Sequence, residues 1–87
     1  AQLATLGEWL EHAHREYARA GLALGQVADN AHDDALFLLL RTLDWPLDSD
    51  AAVLTRRLAP AQRIALREAL RRRVERREPA AYIVGEA

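Results

Sequence analysis

Apolar residues recur at steps of three and four near the start of the chain, which is the spacing of one face of an α-helix. The series runs through Leu3, Leu6, Leu10, Ala13, Tyr17 and Ala20, with Trp9 beside it. Thr5 and Glu8 have the spacing of a capping box, which places the start of the helix near Thr5. Gly21 is a typical stop, because glycine readily adopts the left-handed conformation that ends many helices. The pattern predicts an amphipathic first helix.

A second segment, residues 35–40, is apolar on nearly all sides, which is typical of the most buried helix in a bundle. The Asp-Asn pair at 29–30 is predicted to cap this helix. Asp33 and Asp34 fall in its first turn, where the helix dipole favours negative charge. Pro46 is predicted to end it, since proline cannot continue a helix.

The second half of the chain predicts two more helices and a short turn. The Asp-Ser-Asp run at 48–50 predicts the cap of a short third helix that ends near Arg57. Pro60 suits the first position of a fourth helix, which is predicted to run to about Arg77, just before the next proline. A fifth short turn is predicted over 79–83. The predicted fold class is all-α, a compact bundle of four to five helices.

Composition agrees with a globular domain, because 51% of the residues are hydrophobic and 29% are charged. The sequence has no cysteine, which excludes disulfides and thiolate metal sites within it. No segment is long and apolar enough to span a membrane, and we expect a cytoplasmic protein. Residues 1–50 carry a net charge of −6, whereas residues 51–87 carry +5, with arginine as the only strongly basic residue type.

The arginine-rich fourth predicted helix has the most informative charge pattern. A helical wheel places Leu66, Ala69, Leu70 and Val74 on its buried side. It places Arg67, Arg71 and Arg72 toward solvent, but Arg73, Arg76 and Arg77 on the buried side. Charges on a buried face need partners, so either the end of the helix overhangs the bundle or these arginines meet a second domain or another protein. Spacing predicts the ion pairs Glu68–Arg72 and Arg71–Glu75.

Six residues are therefore predicted to contact a partner or another domain: Arg67, Arg71, Arg73, Arg76, Arg77 and Tyr82. A sequence pI of about 6.3 disfavours direct nucleic-acid binding, which usually needs a strongly basic domain. His12 and His14 point roughly 200° apart on a helix and cannot share a metal ion there. The aspartates are attributed to helix starts. No nucleophile–base set and no glycine-rich phosphate loop occurs, so no catalytic, cofactor-binding or metal-binding residue is predicted.

Three segments resemble the HemK/PrmC/PrmB protein-(glutamine-N5) methyltransferases. Residues 73–87, RVERREPAAYIVGEA, resemble the segment that joins the helical N-terminal domain of this family to its Rossmann-like domain. Residues 29–35, DNAHDDA, and 43–48, LDWPLD, resemble the PrmB branch, which modifies a large-subunit ribosomal protein. Gly85 is more similar to the release-factor branch of the family.

The resemblance implies a domain, residues 1–78, that helps to hold the ribosomal protein substrate of an S-adenosylmethionine-dependent enzyme. Residues 79–87 would begin the connection to its Rossmann-like catalytic domain. The family's Asn-Pro-Pro-Tyr motif and glycine-rich cofactor loop do not occur in these 87 residues. Two alternatives stay open: the corresponding domain of a release-factor methyltransferase, and a free-standing helical adaptor that binds an acidic partner or nucleic acid.

Overall fold

The computed structural model describes residues 3–21 and 31–85, which form four α-helices and one 3₁₀ helix. These are α1 (Leu6–Ala20), α2 (Ala31–Thr42), the 3₁₀ helix (Ala51–Thr55), α3 (Pro60–Val74) and α4 (Ala80–Ile83). Within these ranges, the β-pairing is confined to an isolated antiparallel bridge between Thr5 and Arg57. The predicted all-α fold class is confirmed.

Helix α1 begins and ends where the sequence predicts. The Thr5 hydroxyl accepts a hydrogen bond from the Glu8 N–H at 3.3 Å, and the Glu8 carboxylate accepts from the Thr5 N–H at 3.0 Å. The reciprocal capping box is therefore formed. Gly21 ends the helix at φ 60°, in the left-handed region that favours glycine. The buried face of α1 consists of Leu6, Trp9, Leu10, Ala13 and Tyr17.

Helix α2 lies at the centre and packs against α1, α3 and α4. Its residues Leu38, Leu39 and Leu40 are almost completely buried, as the apolar run predicts. The helix ends at Thr42, earlier than the predicted stop at Pro46, because Asp44 adopts a left-handed φ of 61°. The Trp45 N–H then donates to the Leu40 carbonyl at 2.9 Å, which closes a Schellman-type end. The predicted cap at 29–30 lies outside the described residues.

Helix α3, the fourth helix predicted from the sequence, runs alongside α1 in the same direction. The Leu58 N–H donates to the Ala4 carbonyl at 2.8 Å where both helices begin, and Arg77 reaches the Ala20 carbonyl where both end. Pro60 begins α3 as predicted. The predicted end at Arg77 is wrong, because α3 ends at Val74 and Arg77 adopts a left-handed φ of 57°.

Short elements close the two ends of this three-helix arrangement. Asp50 caps the 3₁₀ helix by accepting from the Ala52 N–H at 3.0 Å. The 3₁₀ helix packs so tightly on α1 that a Cβ added to Gly7 would lie 3.0 Å from the Leu54 carbonyl oxygen. Helix α4 confirms the predicted fifth turn and packs on α2 and α3.

Candidate functional site

Arg73 confirms the prediction of an arginine on the buried side of α3, and its counter-charge lies within the chain. Its side chain is 8% exposed, and its Nε and Nη2 each donate to one oxygen of Asp34 at 3.0 Å. The Tyr17 hydroxyl donates to the same carboxylate at 2.6 Å, and Arg73 Nη1 donates to the Glu78 carbonyl oxygen at 3.2 Å. A bidentate, charge-assisted pair of this kind is strong and directional. Arg73 therefore joins α2 to α3 and to the segment that follows α3.

Asp34 has a larger role than the first-turn charge predicted for it. Its carboxylate, whose side chain is 10% exposed, receives hydrogen bonds from α1 and α3 while belonging to α2. Burial, and then the hydrogen bond to Asp34, raise the pKa of Tyr17 above its ordinary value of 10.0, so the hydroxyl stays protonated and donates at neutral pH. The three longest helices thus meet at one polar network.

Arg72 and Arg76 surround Glu78 at the end of α3. Arg72 donates twice to the Glu78 carboxylate, at 3.0 and 2.7 Å, and Arg76 Nη1 lies 3.9 Å from Glu78 Oε2. The Arg72 guanidinium carbon lies 5.9 Å from the centre of the Tyr82 ring, within the range of a cation–π contact. Arg76 is exposed, so its predicted position on the buried side is wrong.

Arg77 is also exposed, and its prediction on the buried side is wrong for the same reason: the helix that would have placed it there ends at Val74. Its Nη2 donates to the Ala20 carbonyl oxygen at 2.8 Å. A cation at the C-terminus of a helix interacts favourably with the helix dipole. Arg77 therefore closes the end of α1.

The Arg72–Glu78 contact predicts a pH effect on stability. Hydrogen bonding to Arg72 lowers the pKa of Glu78 below its ordinary value of 4.5. A lowered pKa in the folded state contributes stability that is present above 4.5 and is lost as the pH falls through the folded value. We expect Glu78→Gln to unfold at a lower denaturant concentration than the original chain at neutral pH, and the difference to shrink in acid. An unchanged difference across the acid range would contradict this role of Glu78.

A groove of about 570 Å³ lies between α1 and α3 and contains two of the predicted contact residues, Arg67 and Arg71. Its lining also includes Trp9 and His12 from α1 and Arg63 from α3. Apolar side chains from both helices complete the lining, namely Leu3, Leu70 and Val74. The groove therefore combines apolar surface with a row of guanidinium groups.

The arginines of this row differ in how they are paired. Arg71 donates to both oxygens of Glu68, at 3.1 and 2.6 Å. The predicted pairs Glu68–Arg72 and Arg71–Glu75 do not form. Instead, Arg71 forms an ion pair with Glu68, and Arg72 forms one with Glu78. Arg63 and Arg67 make no hydrogen bond or ion pair within the described ranges. Two guanidinium groups of the groove are therefore open to a ligand.

Arg63 is a groove residue that was not predicted from the sequence, although the sequence contains a signal for it. Arg63, Arg67 and Arg71 are spaced four residues apart, which places them on one side of a helix. The contribution of α1 carried no such signal, because the apolar pattern marks Trp9 only as core. Tyr82, by contrast, is 63% exposed beside Arg72 and is not part of the groove lining. The predicted contact residues therefore do not form one surface: two line the groove, Arg73 is buried, and the others are exposed elsewhere.

The described residues offer neither a metal centre nor a membrane span. The rings of His14 and His32 lie 5.4 Å apart, and His12 packs edge-on against Trp9. In residues 3–21 and 31–85, no group of three or more histidine, cysteine or acidic side chains is placed to hold a metal ion. No helix in these ranges has the length and apolar character needed to cross a membrane.

Comparison with known families decides the relationship of the chain. The model of the PrmC N-terminal domain matches residues 8–85. The chain belongs to the PrmC N-terminal domain family. The family resemblance inferred from residues 73–87 is thereby confirmed, and the described fold is the helical domain that this resemblance implies.

Several curated relatives of this PrmC N-terminal domain are named ribosomal protein uL3 glutamine methyltransferase. The Burkholderia pseudomallei protein is 41% identical over 83 residues, which cover 95% of this chain and 27% of the relative. The proteins of Bordetella pertussis and Neisseria gonorrhoeae are 38% and 37% identical over 86 residues, covering 99% of this chain and 29% of each relative. The chain therefore spans less than a third of their length. No solved structure matches it.

Proposed function

We propose that this chain is the substrate-holding N-terminal domain of an enzyme that methylates a glutamine side chain of ribosomal protein uL3. The observation that carries the proposal is the similarity to uL3 glutamine methyltransferases, which extends over 95–99% of the chain at 37–41% identity for the relatives described above. Similarity over the whole chain, rather than at one motif, supports a shared role for the entire domain.

The proposed enzyme divides its work between this domain and the rest of the complete protein. The 87 residues contain neither a glycine-rich loop nor an Asn-Pro-Pro-Tyr motif, and the described residues form no strand from which such a loop could follow. They do not fit an S-adenosylmethionine site. We assign cofactor binding and methyl transfer to a Rossmann-like domain reached through residues 79–87, with residues 1–78 as the recognition domain. A cytoplasmic location suits a ribosomal protein substrate.

Two surfaces of the domain suit the two contacts that this division requires. The α1–α3 groove carries Arg67 and Arg71 and suits the protein substrate. Arg76 and Tyr82 are exposed beside the segment that leads out of the domain, and we assign them to contact with the catalytic domain. Arg73 and Arg77 have a structural role instead of a contact role. Their hydrogen bonds position this segment relative to α1 and α2.

The test is a methyl-transfer assay with the complete protein. Incubation with S-adenosylmethionine and purified uL3 is expected to add one methyl group to a glutamine of uL3, located by mass spectrometry of the digested product. A peptide release factor is the comparison substrate. Methylation of the release factor in place of uL3 would reject the proposed substrate, and methylation of neither would reject the proposed function.

The 87-residue chain itself provides a second arm of the test. Calorimetric titration of the chain with S-adenosylmethionine is expected to give no binding heat at micromolar concentrations. Saturable micromolar binding would contradict the assignment of the cofactor to the rest of the complete protein.

A further inference from the structure

We propose that the α1–α3 groove binds a carboxylate-bearing segment of the protein substrate, with Arg63 and Arg67 as the groups that receive its negative charge. This inference rests on the proposed function and adds to it the binding surface and the chemistry of the bound segment. The groove is about 570 Å³ in volume. It lies apart from Arg72 and Tyr82 at the C-terminal side of the domain.

The unpaired charge of the groove indicates what it binds. Arg63 and Arg67 are successive members of one row on α3, and neither makes a hydrogen bond or ion pair in the described part of the chain. Arg71, one turn further along, is already held by Glu68. A free guanidinium presents a rigid fork of donors that matches the two oxygens of a carboxylate. Two such forks one helical turn apart favour a segment with closely spaced carboxylates.

The charge of the groove lining changes from positive at one end to negative at the other. This difference favours one orientation of the bound segment. Arg63 lies near the start of α3, whereas Glu16 and Glu75 line the other end. The Glu16 carboxylate is ion-paired with Arg19. Glu75 makes no ion pair in the described part of the chain, so it supplies most of the unpaired negative charge at this end. Carboxylates of the segment are therefore attracted to the end where the helices begin and repelled from the end where they finish.

The groove also offers apolar contact. Trp9, Leu70 and Val74 form its apolar surface, although each is largely buried within the domain. Ile64, which is not part of the groove lining, is 62% exposed on α3 one turn before Arg67, so this helix also has exposed apolar surface near the arginine row. Large apolar residues ringed by charge are common in protein-binding surfaces. The combination favours a peptide segment with an apolar side chain next to its carboxylates.

The same features disfavour a nucleic acid in this groove. Trp9, the one large aromatic residue among the described residues of the groove lining, has little exposed face, because it is 3% exposed and packs against His12. Single-stranded nucleic acids depend on exposed aromatic faces for stacking. Glu68 and Glu75 also interrupt the arginine surface with negative charge, which a continuous run of phosphates would encounter.

Binding of fluorescently labelled uL3 to the 87-residue chain, followed by anisotropy, tests the proposal. We expect Arg63→Ala/Arg67→Ala to weaken binding by about tenfold or more, because each loses a charged contact. Arg15→Ala is the matched control: Arg15 is exposed on α1, lies outside the groove, and should leave the affinity within about twofold of the original chain. Arg15, Arg63 and Arg67 make no hydrogen bonds in the described ranges, so we expect both variants to fold.

Nuclear magnetic resonance of the same complex identifies the surface directly. Addition of unlabelled uL3 is expected to shift the resonances of the Arg63 and Arg67 side chains and of the α1–α3 groove, and to leave those around Tyr82 unchanged. Shifts confined to the Tyr82 side would overturn the proposal. The proposal would also be overturned if Arg15→Ala reduced the affinity for uL3 as much as the double variant does, or if uL3 did not bind detectably.

Two further arms separate this inference from its alternatives and from the proposed function. If a short single-stranded RNA bound through Arg63 and Arg67 and uL3 did not, this result would overturn the peptide assignment. In the complete protein, the double variant is expected to raise KM for uL3 at unchanged kcat and thermal midpoint. A lower midpoint at unchanged KM would mean that the enzyme's own catalytic domain covers the groove. Normal methylation of uL3 by the double variant would reject the groove while leaving the proposed function in place.

Discussion

Asp34→Ala is expected to lower the free energy of unfolding by about 3–5 kcal/mol, the usual cost of breaking a buried ion pair from one side. The variant leaves the Arg73 guanidinium in place with its side chain only 8% exposed and without its two carboxylate contacts at 3.0 Å. It also removes the acceptor of the Tyr17 hydroxyl. Because domains are commonly stable by about 5–15 kcal/mol in total, this single change should remove a large share of the domain's stability.

Equilibrium denaturation in guanidinium chloride measures this loss, and two variants serve as controls. Tyr17→Phe removes one hydrogen bond to Asp34 but leaves the ion pair, so it should cost about 1 kcal/mol. Asp34→Leu/Arg73→Leu removes both charges together and should be more stable than Asp34→Ala, because no unpaired charge is left in the interior. If Asp34→Ala lowered the free energy of unfolding no more than Tyr17→Phe does, the ion pair would not be what holds α2 and α3 together.

Leu66→Ala is expected to cost about 2–5 kcal/mol, the range for a fully buried leucine that leaves a cavity. Leu66 is 0% exposed and lies on α3 in the same core cluster as Leu38 and Leu39 of α2. Denaturation of the purified variant gives the loss, and Ile64→Ala on the same helix is the control. Ile64 is 62% exposed, so its truncation should change stability by no more than about 0.5 kcal/mol. Similar losses from both variants would contradict the assignment of the α3 buried face.

Local rules were sufficient where a helix end depends on neighbouring residues. The start of α1 follows from Thr5 and Glu8, which form their capping box within one turn. Its end follows from Gly21, and the start of α3 follows from Pro60. The central position of α2 follows from a run of leucines that has no polar side to expose.

Local rules failed where a contact distant in sequence decides the conformation. Pro79 limits α3 to the residues before it and led to a predicted end near Arg77, but the helix ends at Val74, three residues earlier. Arg77 takes a left-handed φ that is uncommon outside glycine, and its side chain binds the Ala20 carbonyl 57 residues away. The predicted buried positions of Arg76 and Arg77 were therefore wrong, because both residues follow the end of α3.

The polar network around Arg73 was also predicted only in part. The helical wheel placed Arg73 on a buried face and so required a partner for it. Which of the many acidic residues would be that partner depends on how α2 packs against α3, and Asp34 lies 39 residues away. Its position in the first turn of α2 offered a sufficient local explanation, which concealed its long-range role.

The candidate surface was predicted in part. Arg67 and Arg71 were identified by their position on the outer side of α3, and both line the groove. Whether an exposed arginine is free or already paired depends on rotamers and neighbours, so the difference between Arg67 and Arg71 emerged only from the structure. The groove itself requires α1 and α3 to lie side by side, which no local pattern encodes.

Competition by the 87-residue chain is the most direct test of its proposed role as a substrate-holding domain. The complete protein would methylate uL3 in the presence of increasing amounts of the separate chain, with initial rates measured at several concentrations of uL3 and of S-adenosylmethionine. We expect the chain to raise the apparent KM for uL3 without lowering kcat, and not to compete with S-adenosylmethionine. No inhibition at a large excess of the chain, or competition with S-adenosylmethionine, would contradict this role.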